Sequence, residues 1–381
     1  MSASIKKYLI WGYYGFGNLG DELMLMQIVE RIRARESHAI IRVACFDAPR
    51  DSRVVPFAFY KVRGPLPVRV LIQLISLATI MPKTDVFVIG GGTLFIDKGK
   101  HNRAMLTLTM AVFFAKIMHK IIYTIGVGTD ILTHPRSMQY LRFILKNSSY
   151  VCLRDNFSFT TAKHLIGEAH VIRGSDILFD ESIFRRLTGG VRHNGQDGCI
   201  VVSLTDYFWT WQLPGKRDLL RTKSEELVVR LTKQFGGKYT IVLCAFQKSM
   251  GENDYGFLTD ILKSIAKQGE PNAVNVRLAY LENEEQVRNI FSAAVFTIGM
   301  RYHALVLSAI FKKPFLGINM EMKIKEICSE FGMPFMNIDE FLAHGFAADE
   351  FQRLSSLTIS ETILEGHIHM AERNFTWVNT R

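Results

Sequence analysis

Three residues of this 381-residue chain carry the groups needed to hold and protonate a small phosphorylated molecule: Arg154, Arg301 and His303. Arg154 follows the apolar run 150–153 and opens Arg-Asp-Asn-Phe-Ser; Arg301 and His303 form Arg-Tyr-His shortly after the apolar run 295–298. A guanidinium grips phosphate or carboxylate with two parallel donors, and an imidazole exchanges a proton near neutral pH. In an extended segment, side chains 301 and 303 leave the backbone on the same side. Each residue has a plainer reading. Arg154 could pair with the adjacent Asp155 or bridge two domains, and His303 could be a buried histidine at a helix start. The other ten histidines lack such a setting, although His101, just beyond a glycine loop, is held in reserve.

Glycine loops supply the second kind of chemistry. Residues 12–22 read Gly-Tyr-Tyr-Gly-Phe-Gly-Asn-Leu-Gly-Asp-Glu between an apolar run and a periodic helix. Gly15 to Gly20 spells G-x-G-x-x-G, the dinucleotide fingerprint. Two features disfavour that use. Asp21 and Glu22 sit at the mouth of the helix, where they would repel a pyrophosphate. Asp47, the acid available for a ribose, lies 27 residues after Gly20 rather than about 20. One acid capping the helix while the other does chemistry fits better, and capping alone is the bland alternative. Gly90-Gly91-Gly92-Thr93 and Gly126-Val127-Gly128-Thr129 follow two further apolar runs. Glycines there let backbone N–H groups converge on a ligand oxygen.

These residues must be placed by the elements around them. Short β-rich runs alternate with helical patterns in both halves, which predicts parallel sheets covered by helices. The expected strands are 8–11, 40–45, 86–89, 121–125 and 150–153, then 199–204, 240–245, 274–279, 295–298 and 315–318. The polar, glycine-dense stretch 189–198 reads as a linker. That gives an N-terminal Rossmann-like domain over 1–188, a C-terminal one over 199–350 and a helical tail over 351–381. Two α/β domains of this kind, facing a cleft, make a GT-B-like arrangement with ligands at the carboxyl ends of the strands.

Composition narrows the partners. The formal charge of +10 favours anionic partners such as phosphorylated metabolites or a lipid surface. Nucleic acid is disfavoured, because the chain lacks RNA-binding aromatic motifs and zinc-finger spacing. Five scattered cysteines without C-x-x-C read as reduced core thiols of a cytoplasmic protein, with no structural metal expected. The apolar stretches 68–81 and 104–115 fall short of the roughly 20 residues a spanning helix needs. They are expected to be buried helices, with peripheral lipid contact left open.

Taken in order, residues 12–22, 90–92, 126–128, 154–158 and 301–303 resemble the motifs of the polysaccharide pyruvyl transferase family, a likeness running from about residue 8 to residue 335. Departures fall at Thr129, where relatives often carry Pro, and at Met320, where they often carry Tyr. The resemblance implies transfer of pyruvate from phosphoenolpyruvate to two sugar hydroxyls as a cyclic ketal, with release of phosphate. It implies phosphoenolpyruvate held by Arg154, Arg301 and the loop residues Gly17, Asn18, Gly91, Gly92 and Thr93. His303 would then be the proton donor and Asp21 or Glu22 the base, with no metal or nicotinamide needed. The acceptor would be a sugar or lipid-linked oligosaccharide of a cell-surface polysaccharide, reached from the cytoplasm at the inner membrane face. A GT-B glycosyltransferase using a nucleotide sugar is the alternative; a non-catalytic scaffold is a third reading, against which the intact Arg154, Arg301 and His303 set argues. The oligomeric state is left open.

Overall fold

The computed structural model describes residues 5–62, 64–97, 103–189, 198–206, 215–248, 253–268, 273–347 and 349–379. Its first sheet contains β1 (Lys7–Tyr14), β2 (Ile40–Cys45), β3 (Val55–Phe57), β4 (Val86–Gly90), β5 (Thr93–Phe95), β6 (Ile121–Thr129), β7 (Tyr150–Leu153) and β8 (Ile172–Arg173). The second contains β9 (Cys199–Ser203), β10 (Thr240–Ala245), β11 (Val276–Tyr280), β12 (Ala294–Gly299), β13 (Phe315–Asn319) and β14 (Phe335–Asn337). All ten strands expected from sequence are present.

The strand orders are β3-β2-β1-β4-β6-β7-β8, with β5 alongside β6, and β11-β10-β9-β12-β13-β14. Every pairing is parallel. Each sheet is thus a doubly wound α/β sheet whose direction of winding reverses at one point, between β1 and β4 and between β9 and β12. The carboxyl ends at such a reversal leave a crevice that takes ligands. The strands can be this apolar because helices cover both faces: β4 (Val-Phe-Val-Ile-Gly) and β9 (Cys-Ile-Val-Val-Ser) are buried at every residue. All five cysteines are free and buried.

The chain divides into two compact units, Met1–Asp180 with His367–Arg381, and Glu181–Gly366. This differs from the expected 1–188 and 199–350 at two places. The helix Glu181–Thr188 belongs to the second unit, where Arg186 Nε donates to both Glu284 oxygens at 2.8 and 2.9 Å. The expected tail, 351–381, is also divided: its first part stays with the second unit, and from His367 it returns to the first. Trp377 packs 4.4 Å from the Tyr123 ring, Asn374 Nδ2 donates to Ser175 O at 2.9 Å, and the Tyr150 and Thr376 hydroxyls are hydrogen-bonded at 2.6 Å. Most of the expected linker, residues 190–197, lies outside the described residues, as does His101.

Both apolar stretches form helices, Leu66–Ile80 and Arg103–Ile117, but neither is buried all round. In the first, Leu77 and Ile80 enter the core while Val68, Leu71, Ile72 and Ile75 stay exposed. In the second, Met105, Leu108, Ala111, Val112 and Ala115 are buried, and Leu106, Phe113 and Ile117 face outward. Among the described residues, no helix is long and apolar enough to cross a membrane.

Candidate active site

In the first unit, the carboxyl ends of β1, β4, β6 and β7 gather most of the residues that the sequence singles out. After β1 the chain turns through Gly15 and Gly17, at φ +75° and +76°, conformations that favour glycine. Asn18 then caps the helix Leu19–Arg35, its side chain accepting from Gly20 N at 3.1 Å. The cap is therefore Asn18, and the two acids behind it do other things. Glu22 accepts from Gly15 N at 2.8 Å and from Arg50 N at 3.2 Å, tying the glycine turn to the loop after β2. Asp21 is buried over the second glycine loop, its Oδ1 3.0 Å from where a Cβ on Gly92 would stand.

That second loop holds Gly91 and Gly92 at φ +69° and +74°. Beneath it, Tyr14 Oη donates to Gly90 O. The Tyr14 phenol is fully buried, and burial, reinforced by Asp21 and Glu22, pushes its pKa well above the usual tyrosine range. The third glycine segment is not a loop. β6 runs on through it to Thr129, with a bulge where Gly126 takes φ +60° and the Ile177 side chain fills the space of a Cβ.

Arg154 leaves the end of β7 and crosses Gly128, where a Cβ would stand 2.7 Å from Nε and 2.8 Å from Nη2. The guanidinium is almost fully buried. It faces Asp155 (3.5 Å) and Asp176 (3.4 Å), and Nη2 donates to Thr93 Oγ1 at 2.7 Å. Burial raises the Asp176 pKa, with Arg154 opposing the rise. The adjacent Asp155 is thus part of the Arg154 environment, as the plainer reading foresaw. Asp176, 22 residues further on, was not picked out from sequence.

In the second unit, β12 ends at Gly299, and Met300 N donates to Ser203 O at the end of β9. This is the reversal point of the sheet. Arg301 is the N-cap of the helix Tyr302–Ile310 (φ −89°, ψ 124°), and His303 is already helical. The expected extended Arg-Tyr-His is therefore a strand-to-helix turn. His303 is 8% exposed, its ring 5.4 Å from that of Tyr302. Arg301 Nε donates to both oxygens of Asp254 at 3.1 and 2.9 Å, and Nη2 donates to Oδ1 at 2.6 Å. Asp254 begins the helix Asp254–Lys267 and is 0% exposed. It escaped notice in the sequence because nothing local links it to an arginine 47 positions away.

The site residues fall into two sets, each at strand carboxyl ends near the reversal of its own sheet: Gly17, Asn18, Asp21, Glu22, Gly91, Gly92, Thr93 and Arg154 in the first unit, Arg301 and His303 in the second. Two doubly wound α/β units of this kind define a GT-B-like fold. The UDP-GlcNAc 2-epimerase of Methanocaldococcus jannaschii, in complex with UDP-GlcNAc and UDP, is similar over 98% of this chain and 99% of its own, with 11% identity and a TM-score of 0.64. A glycosyltransferase of Rickettsia africae is similar over 98% and 94%, with 12% identity and a TM-score of 0.54. None of the curated proteins matches the chain. The sequence profile of the polysaccharide pyruvyl transferase family matches residues 18–321. The chain belongs to that family.

Proposed function

We propose that this protein moves the pyruvate unit of phosphoenolpyruvate onto two hydroxyls of one sugar in a cell-surface polysaccharide or its lipid-linked precursor. The observation that carries this reading is the family match over 18–321, a span that includes Asp21, Arg154, Arg301 and His303. Arg301, oriented by Asp254, binds the anionic groups of phosphoenolpyruvate. His303 as imidazolium gives its proton to C3, turning the enol CH₂ into CH₃ and making C2 electrophilic. A first hydroxyl bonds to C2 and loses its proton to a base. The C2–O bond to phosphate then breaks, a second hydroxyl bonds to C2 and loses its proton in turn, and the ring closes. One of the two released protons returns to His303 and the other leaves with phosphate.

Asp21 is assigned the role of base, because its carboxylate lies over the second glycine loop, Oδ1 3.0 Å from where a Cβ on Gly92 would stand, whereas Glu22 accepts from two backbone N–H groups. Arg154, facing Asp155 and Asp176, is assigned a positioning role that fixes Thr93 and, through it, the second glycine loop. The enol phosphate brings its own driving force, so the reaction is assigned no metal and no nicotinamide. The test is phosphoenolpyruvate-dependent phosphate release with candidate lipid-linked oligosaccharides, with mass spectrometry of the product. A ketal-bearing product is expected. Nucleotide release from a UDP-sugar, with phosphoenolpyruvate inert, would overturn the assignment.

A further inference from the structure

Single exposed apolar side chains are ordinary on a soluble protein, whereas clustered ones mark contact surfaces. Of the fourteen large hydrophobic residues exposed among the described residues, eight lie on just two helices, Leu66–Ile80 and Arg103–Ile117. On the first helix, Val68, Leu71, Ile72 and Ile75 follow the i, i+3, i+4, i+7 spacing of a single face, 39 to 57% exposed. On the second, Phe113 and Ile117 are 50 and 51% exposed, on the side away from the core. The two helices touch each other and feed the same core cluster through Leu77, Ile80 and Leu108. The exposed faces therefore belong to well-anchored helices.

The charge around these faces says what covers them. Residues 52–84 contain five Lys or Arg and no Asp or Glu, and residues 98–129 likewise contain five and none. Together they hold ten basic residues, equal to the whole formal charge of +10, so the rest of the chain is balanced. Arg69 lies within the first apolar helix; Arg103 and Lys116 stand near the two ends of the second. Arg53 and Lys61 are paired with Asp51 and Asp47, but Arg69, Arg103 and Lys116 belong to the two helices themselves, neither of which carries an acid. An apolar helix with cations and no acid along it suits the boundary between acyl chains and acidic headgroups.

We propose that the helices Leu66–Ile80 and Arg103–Ile117 form a docking face for an anionic phospholipid bilayer. The aliphatic side chains enter the interfacial layer while the flanking Lys and Arg meet lipid phosphates. The face is separate from the residues assigned to chemistry, and its test does not depend on the reaction. The full chain is sedimented with vesicles of phosphatidylcholine alone and with vesicles containing 30 mol% phosphatidylglycerol, at low and high salt, alongside the double variant Leu71→Glu, Ile75→Glu. Both positions are exposed, so the variant should keep the wild-type unfolding midpoint. The wild type is expected to bind phosphatidylglycerol vesicles at least tenfold more tightly than neutral ones and than the variant binds, and to weaken with salt. Wild-type protein left in the supernatant at low salt, or an equally well bound variant, overturns the proposal. So does a dimer that dissociates in the variant with no vesicle binding by the wild type, which would assign the face to a second copy.

Discussion

Arg301 holds Asp254 through both carboxylate oxygens, and Asp254 is completely shielded from water at the first turn of its helix. The pair therefore does two jobs that substitutions separate. Arg301→Ala strands a buried carboxylate, a loss expected to cost about 3–5 kcal/mol of stability. Arg301→Lys retains a positive charge near Asp254 but loses the planar fork. It should keep most of the stability in denaturant unfolding while phosphate release from phosphoenolpyruvate drops severely. Near-normal turnover by Arg301→Lys would remove Arg301 from substrate binding.

His303 sits in the first turn of the helix Tyr302–Ile310 and is almost wholly buried. If it supplies the proton to C3, His303→Gln leaves the anion-holding groups in place but cannot protonate. Phosphoenolpyruvate binding measured by calorimetry is expected within a fewfold of wild type, with turnover down about 100- to 10,000-fold. A parallel fall in binding and turnover would instead make His303 a structural residue.

Gly128 is required for what passes over it rather than for its own backbone. A methyl group there would press within 2.7 Å of Arg154 Nε, against a guanidinium confined by Asp155, Asp176 and Thr93. Gly128→Ala should cost about 1–3 kcal/mol, read as a lowered urea midpoint. An unchanged midpoint would mean that Arg154 is free to swing aside.

His367 links acidity to stability. Buried in the first unit with Nδ1 2.8 Å from Ser175 Oγ, it has its pKa lowered by burial, and further by Arg173, from 6.5 to about 4. The unfolded chain takes up a proton near pH 6.5 that the folded chain refuses until about pH 4. Acid therefore favours unfolding: the neutral histidine's contribution is complete above pH 6.5 and lost as pH falls through that window, amounting to about 3 kcal/mol. His367→Gln should flatten the unfolding free energy between pH 6.5 and 4 relative to wild type. Parallel curves would assign the acid sensitivity elsewhere.

The sheets were legible in the sequence because a parallel strand buried on both faces must be a short, nearly pure apolar run, as in β4 and β9. The strands it did not reveal, β3, β5, β8 and β14, have three residues or fewer, too few to show any period. Arg154, Arg301 and His303 stood out because charge abruptly follows an apolar strand. Their partners Asp176 and Asp254 did not, since a contact made across 22 or 47 positions leaves no local trace. The return of Trp377 to Tyr123 was hidden for the same reason. The helices Leu66–Ile80 and Arg103–Ile117 are apolar enough to read as buried, and hydropathy alone cannot distinguish core from an uncovered face.

Adjacent in sequence, Asp21 and Glu22 have separate surroundings, which makes them a test of the catalytic assignment. Glu22 binds two backbone N–H groups from different loops. Glu22→Gln weakens two charge-assisted hydrogen bonds and should lower stability by about 1–2 kcal/mol, with activity following the folded fraction. Asp21 lies over Gly92, next to the loop whose Thr93 is held by Arg154. Asp21→Asn keeps the shape of the side chain and removes its basicity. A wild-type unfolding midpoint with turnover lowered about 100-fold or more, and a pH–rate profile that loses its acidic limb, is the expected combination. A midpoint lowered as far as in Glu22→Gln, with the acidic limb intact, would return Asp21 to a structural role and leave the base to be found among other groups.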